Sequence, residues 1–254
     1  MRRPISFALR IGWVLAVALC SDGMAAGASA PRPSGAVVQI PGLSAGTNSQ
    51  LLTIMVVLTI LTVIPALLLS MSPFVRLLVV FHFLRQALGT QSTPTNQTLI
   101  GLSLFLTFFI MQPVGAKVYD TAVVPLEKGS VSAVGALELS ATPMREFMLK
   151  YAREKDLALF VELSKEPRPR RPEDLSMRVV LPAYMISELK AGFQIGMVIF
   201  LPFLVIDLVV ASVTTSVGML QLPPVMISTP LKILLFVAVD GWNLIVGSLM
   251  KSFY

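Results

Sequence analysis

Glu188, Lys190, Asp207, Lys232 and Asp240 fall between Pro182 and Trp242, in or at the ends of segments otherwise apolar enough to cross a bilayer. An ionised side chain at the bilayer centre costs roughly 2.5–3.5 kcal/mol on insertion scales. Groups of both signs kept in such surroundings are expected to pair, either within the chain or across subunit contacts. The same carboxylates permit a second chemistry, a proton relay through Glu188 and Asp207 in a small-solute transporter. That design calls for an internal repeat around a midplane site, and the sequence shows no convincing repeat.

Other chemistries lack their groups. His82 is the only histidine and stands in an apolar segment, where a packed core histidine is the more ordinary role than a ligand. Histidines and carboxylates nowhere cluster at metal-ligand spacing. Serines nowhere occupy a nucleophile elbow, and no glycine loop is built for phosphate. The sequence therefore predicts no enzyme, no cofactor and no metal.

With 254 residues, a mean hydropathy of +0.78 and 13% charged residues, the chain groups with integral membrane proteins. Arg2, Arg3 and Arg10, an apolar run from Ile11 to Cys20 and a small-residue tract form a signal peptide over 1–28, with Ala26-Gly27-Ala28 as the cleavage site. Cys20, the only cysteine, leaves with it, so neither a disulfide nor a thiol nucleophile is expected afterwards. Removal lowers the formal charge from +6 to +4, too mild to argue for nucleic acid.

Residues 29–50 read as an exported linker rich in Pro, Gly, Ser and Ala. Residues 51–115 read as a first helical hairpin, with spans at Leu51 to Met71 and Leu99 to Val114. Between them, Phe74 to Leu88 carries Arg76 and Arg85 about 180° apart at 100° per residue. No single rotation puts both in water, so this helix is expected to pack against protein. Residues 116–181 form a polar domain; Ala116 to Arg178 holds eleven Lys/Arg and ten Asp/Glu. Its best helix is expected to start at Thr142-Pro143, and Lys165 to Asp174 reads as a solvated linker. Residues 182–254 form a second hairpin, with spans near Ala191 to Val213 and Leu231 to Leu249 and a loop at 218–224. The fold class is an all-α membrane protein, two helical hairpins flanking a polar, mainly helical domain. A cleaved signal puts that domain outside the cytoplasm.

Glu188, Gly192 and Gly196 share one helix face at a four-residue spacing. Two readings stand: a tight intersubunit seam locked by a carboxylate, or a glutamate at a helix start facing water. Thr229-Pro230 reads as a helix start, which places Lys232 in a first turn where it opposes the macrodipole and calls for an acidic partner. Asp240 lies eight residues on, too far along the axis to pair with Lys232 directly. Asn96-Gln97-Thr98 reads as a capping turn rather than a glycosylation site. The loop Gly218 to Pro224 is mostly apolar. It is either a simple inter-helix turn or a ring of yielding side chains that closes a channel.

Pro182 to Met197 (PAYMISELKAGFQIGM) and Pro230 to Trp242 (PLKILLFVAVDGW) closely resemble the two signatures of the FliP family of flagellar and type III export proteins. Leu84 to Thr90, Leu104 to Pro113 and Arg145 to Leu149 extend the match over nearly all of the chain after the signal peptide. The resemblance implies a non-enzymatic export gate. It implies a pentamer joined by FliQ- and FliR-like subunits, working with FlhA- and FlhB-like export proteins at the inner membrane and flagellar basal body. Unfolded flagellar subunits cross its centre. The injectisome gate is the rival within the family, and the signal peptide favours the flagellar branch. By resemblance Glu188, Lys232 and Asp240 belong to intersubunit charge networks, and Asp207 is expected to share that role. Because removing one partner of a buried pair costs roughly 3–5 kcal/mol, Glu188→Ala or Lys232→Ala is expected to disrupt assembly more than folding.

Family members often carry consecutive methionines before Pro-Pro as a gasket, whereas this chain has Met219, Leu220 and Gln221. The departure implies a leakier or differently plugged gate. Gln221→Met is expected to lower ion leak in cells relative to the parent, and equal leak removes the idea.

Overall fold

The computed structural model describes residues 47–165, 171–218 and 223–253, with side chains from Leu51 onward. All regular elements among them are helical. They are α1 (Thr47–Ser70), α2 (Phe74–Ala87), α3 (Asn96–Val118), a π-helical turn (Tyr119–Val123), α4 (Val124–Glu127), α5 (Ala133–Tyr151) and α6 (Glu154–Ser164). A 3₁₀ turn (Pro172–Asp174), α7 (Met177–Ser216), α8 (Pro224–Ala238) and α9 (Gly241–Lys251) complete the order. From Leu52 onward the chain forms one unit.

α2 is the axis of the core. Leu77, Val80, Phe81, Leu84 and Ala87 are all buried and recur at the three- and four-residue steps of one helical stripe. Against them pack Leu99 and Leu106 of α3 and Val179, Val180 and Tyr184 of α7. Arg76 points into this core, while Arg85 turns out to the α2–α3 connection, donating to the Pro94 carbonyl at 3.2 Å and to Asn96 Oδ1 at 2.7 Å. The two arginines predicted to face opposite ways thus serve a core pair and a turn. His82 is half-buried and contacts the Leu78 carbonyl through Nδ1 at 3.0 Å. The start of α3 is capped by Thr95, whose hydroxyl accepts from the Thr98 N–H at 3.3 Å, so the 96–98 triplet is a helix's first turn.

Among the described residues three helices are long and apolar enough to cross a membrane, Leu51–Ser70, Asn96–Glu127 and Met177–Ser216; the bent pair α8–α9 makes a fourth if taken as one span. Several helix bounds differ from the sequence reading, for local reasons. α5 begins at Ala133, because Ser132 already caps it by accepting from the Gly135 N–H at 3.2 Å, and Pro143 is buried inside the helix. α8 begins at Pro224, the earlier of two prolines suited to a first helical position. Thr229, expected as a cap, donates its hydroxyl back to the Val225 carbonyl at 2.8 Å, as a threonine within a helix does. Lys232 is therefore not in a first turn, and burial rather than the macrodipole sets its need for a counter-ion. α3 runs on through the π turn, which precedes Pro125, a residue with no N–H to continue the normal ladder. The last span expected over 231–249 is two helices meeting at 65°.

α7 is a single helix of 40 residues through Pro182 and Pro202. At 1.5 Å per residue it is about 60 Å long, roughly twice the hydrocarbon thickness of a bilayer. Its exposed face is nonetheless apolar, from Phe193 through Met197, Leu201, Leu204 and Leu208 to Val213. That face is about 30 Å long, close to the hydrocarbon thickness of a bilayer, so lipid alone can cover it.

Candidate functional site

Two buried cations meet α7 at points 19 residues apart, about 28 Å along its axis. At the first, the Arg76 guanidinium of α2 donates to Glu188 Oε1. Both side chains are buried, Glu188 completely. Arg76 Cζ also lies 4.1 Å from the centre of the Phe253 ring and 5.9 Å from that of Tyr151, and Nη1 donates to Ser252 Oγ at 3.3 Å. Arg76 Nε, Glu188 Oε2 and Tyr184 Oη have no hydrogen-bond partner there. The pair is a buried, hydrogen-bonded ion pair flanked by ring faces, and removing either member is costly.

The elbow between α5 and α6 is fastened one residue away. Ser187 Oγ accepts from the Arg153 backbone N–H at 3.0 Å and donates to Asp156 Oδ2 at 2.7 Å. Arg153 also donates to Gln194 Oε1. Tyr151 Oη donates to the Phe253 carbonyl at 2.5 Å. Three separate stretches of sequence thus converge on the Tyr184–Glu188 segment of α7: α2, the α5–α6 elbow and the residues after α9.

At the second point, Lys232 Nζ of α8 donates to Asp207 Oδ2 at 2.5 Å and to the Ala87 carbonyl at 3.1 Å. Ala87 ends α2, so Lys232 satisfies one of the carbonyls that a helix terminus leaves open. The two partners differ in setting: the Lys232 side chain is 3% exposed and that of Asp207 38%. Nearby, Gly89 adopts φ +75°, and a Cβ there would stand 2.8 Å from Thr229 Oγ1. Glycine serves both needs, the left-handed turn and the close approach of α8.

Gly192 and Gly196 sit against α2 of the same chain. A Cβ at Gly192 would lie 3.1 Å from Val79, and one at Gly196 2.6 Å from ring carbons of Phe83. Phe83 is itself held edge-on by Phe193 at 5.4 Å. Gly196→Ala is expected to cost about 1–3 kcal/mol by overpacking, and Gly192→Ala less. Protease resistance of the membrane-extracted variants checks the order; equal resistance contradicts it.

Asp240 occupies the α8–α9 corner in a left-handed conformation, φ 52°, and its Oδ2 accepts from Asn243 Nδ2 at 3.1 Å. Neither Asp240 nor Lys190 forms an ion pair among the described residues. Met219, Leu220 and Gln221 lie outside the described residues. Groups able to hold a metal ion are absent among the described residues. Sequence reasoning missed Arg76 as the partner of Glu188, and missed the ring of Tyr151, Ser252 and Phe253 around it. One signal was available: α2 contains Arg76 but no acid, so its counter-ion had to come from another helix.

Both ion pairs lie within the region matched by the FliP family profile, residues 57–249. Three proteins named flagellar biosynthetic protein FliP illustrate the likeness. The one from Pectobacterium carotovorum is 52% identical over 223 residues, covering 85% of this chain and 86% of the relative. That from Bacillus subtilis is 50% identical over 205 residues, covering 81% and 93%. That from Caulobacter vibrioides is 45% identical over 235 residues, covering 91% and 88%. With the profile spanning most of the chain and relatives at this identity matched over most of their own length, the chain belongs to the FliP family.

Proposed function

We propose that the chain is a core subunit of the flagellar type III export gate, part of the channel through which unfolded flagellar proteins cross the inner membrane. Family membership carries this reading. The apolar outer face of α7 and the exposed α1, bare from Ile54 to Leu68, agree with a place in the membrane, where lipid or neighbouring subunits cover them. In this reading five copies close a ring, with FliQ- and FliR-like subunits completing it and FlhA- and FlhB-like proteins beneath. The role is structural and non-enzymatic. The polar segment of 116–181 faces the periplasm, and the two hairpins of 51–115 and 182–254 supply the contacts between protomers. The charges at Glu188, Asp207, Lys232 and Asp240 fix the shape of each protomer at those contacts. An in-frame deletion tests it: export of hook and filament subunits stops and returns when the gene is supplied. Undiminished export in the deletion strain contradicts the proposal.

A further inference from the structure

Phe253 is 4% exposed although it follows the last helix. Its ring faces the Arg76 guanidinium at 4.1 Å, within the range in which a cation is attracted to the negative face of an aromatic ring. Its edge meets Tyr151 at 5.2 Å in a T-shaped arrangement, and its carbonyl accepts the Tyr151 hydroxyl. Ser252 accepts from the same guanidinium. Towards its start, α9 is held through Gly241 and Trp242, which pack on Phe236; the Trp242 ring stands 5.4 Å from that of Phe236. Between these two ends a groove of about 400 Å³ separates α9 from α7, lined by Ile195, Val198, Ile199, Leu244 and Ile245 among others. α9 is thus a strap fastened at both ends, and the far fastening is the Arg76 centre.

We propose that Phe253 is a positioning residue. Its ring holds the Arg76 guanidinium on Glu188, so the docking of the C-terminal segment and the closing of the buried ion pair are one event. A simple apolar plug would need only volume at this position. A cation-holding ring needs its electron-rich face as well, and that difference is measurable without changing size appreciably. The inference stands independently of the export reading, since it concerns the chain's own fold.

The test replaces Phe253 by mono-, di- and trifluorinated phenylalanines in the full chain and follows tryptic cleavage after Lys251 by intact mass on the detergent-extracted protein. Lys251 is exposed and borders the fastened segment. Each fluorine weakens the ring face, so cleavage after Lys251 is expected to rise in steps, roughly fivefold across the series, while cleavage after Lys155 in α6 stays constant. Phe253→Tyr is expected to match the parent, and Phe253→Leu, which keeps an apolar plug, to behave like the trifluoro form. A flat fluorine series, or a leucine variant as resistant as the parent, overturns the proposal.

Discussion

Glu188→Ala is expected to cost about 3–5 kcal/mol, because it strands the Arg76 guanidinium in the core with no counter-ion. That is a large part of the roughly 5–15 kcal/mol that separates folded from unfolded proteins. The partner lies in the same chain, so the loss is expected before assembly: the variant's abundance in membranes falls several-fold. This reverses the order expected from the sequence alone, in which assembly fails and folding survives. Replacing both members, Arg76→Met with Glu188→Leu, is expected to restore abundance, since paired buried charges exchanged for apolar groups of similar volume often cost little. Quantitative immunoblotting of membrane fractions separates the outcomes. Parental levels of Glu188→Ala contradict the reading, as does a double variant no better than the single.

The second pair is expected to respond unequally to loss of its two members. Asp207→Ala leaves the Lys232 ammonium, almost fully buried, with only the Ala87 carbonyl, and is expected to cost about 3 kcal/mol. Lys232→Met fills the same space with an apolar chain and leaves a carboxylate whose side chain is already a third exposed, though its Oδ1 is buried. The Ala87 carbonyl loses one bond, so the expected cost is about 1 kcal/mol. Thermal aggregation of the two detergent-extracted variants ranks them. Lys232→Met proving the more damaging would show that the carboxylate, not the ammonium, is the group that needs its partner.

The sequence carried much of this arrangement because charge in an apolar segment is rare enough to be read one residue at a time. Glu188, Asp207 and Lys232 stand out against their neighbours, and the four-residue spacing of Gly192 and Gly196 marks a face where another helix comes close. The partners were harder to read. Which helix meets α7 depends on how α2 threads through the core, and nothing local to Arg76 points to a glutamate 112 residues later. Helix starts were misplaced wherever a proline looked like a beginning. Pro143 and Pro230 sit within helices whose capping or first-position residues, Ser132 and Pro224, come earlier, and packing holds the backbone helical across the lost hydrogen bond. Phe253 escaped notice because its role depends on Tyr151 and Arg76, 102 and 177 residues away.

The central claim is that a protomer with its charges settled internally leaves its apolar faces for other protomers to cover. Native mass measurement on material extracted in mild detergent from cells co-producing the chain with FliQ- and FliR-like proteins tests this directly. The account predicts a closed assembly containing five copies of the chain and no free monomer. A monodisperse single chain that stays soluble and protease-resistant without companions contradicts it.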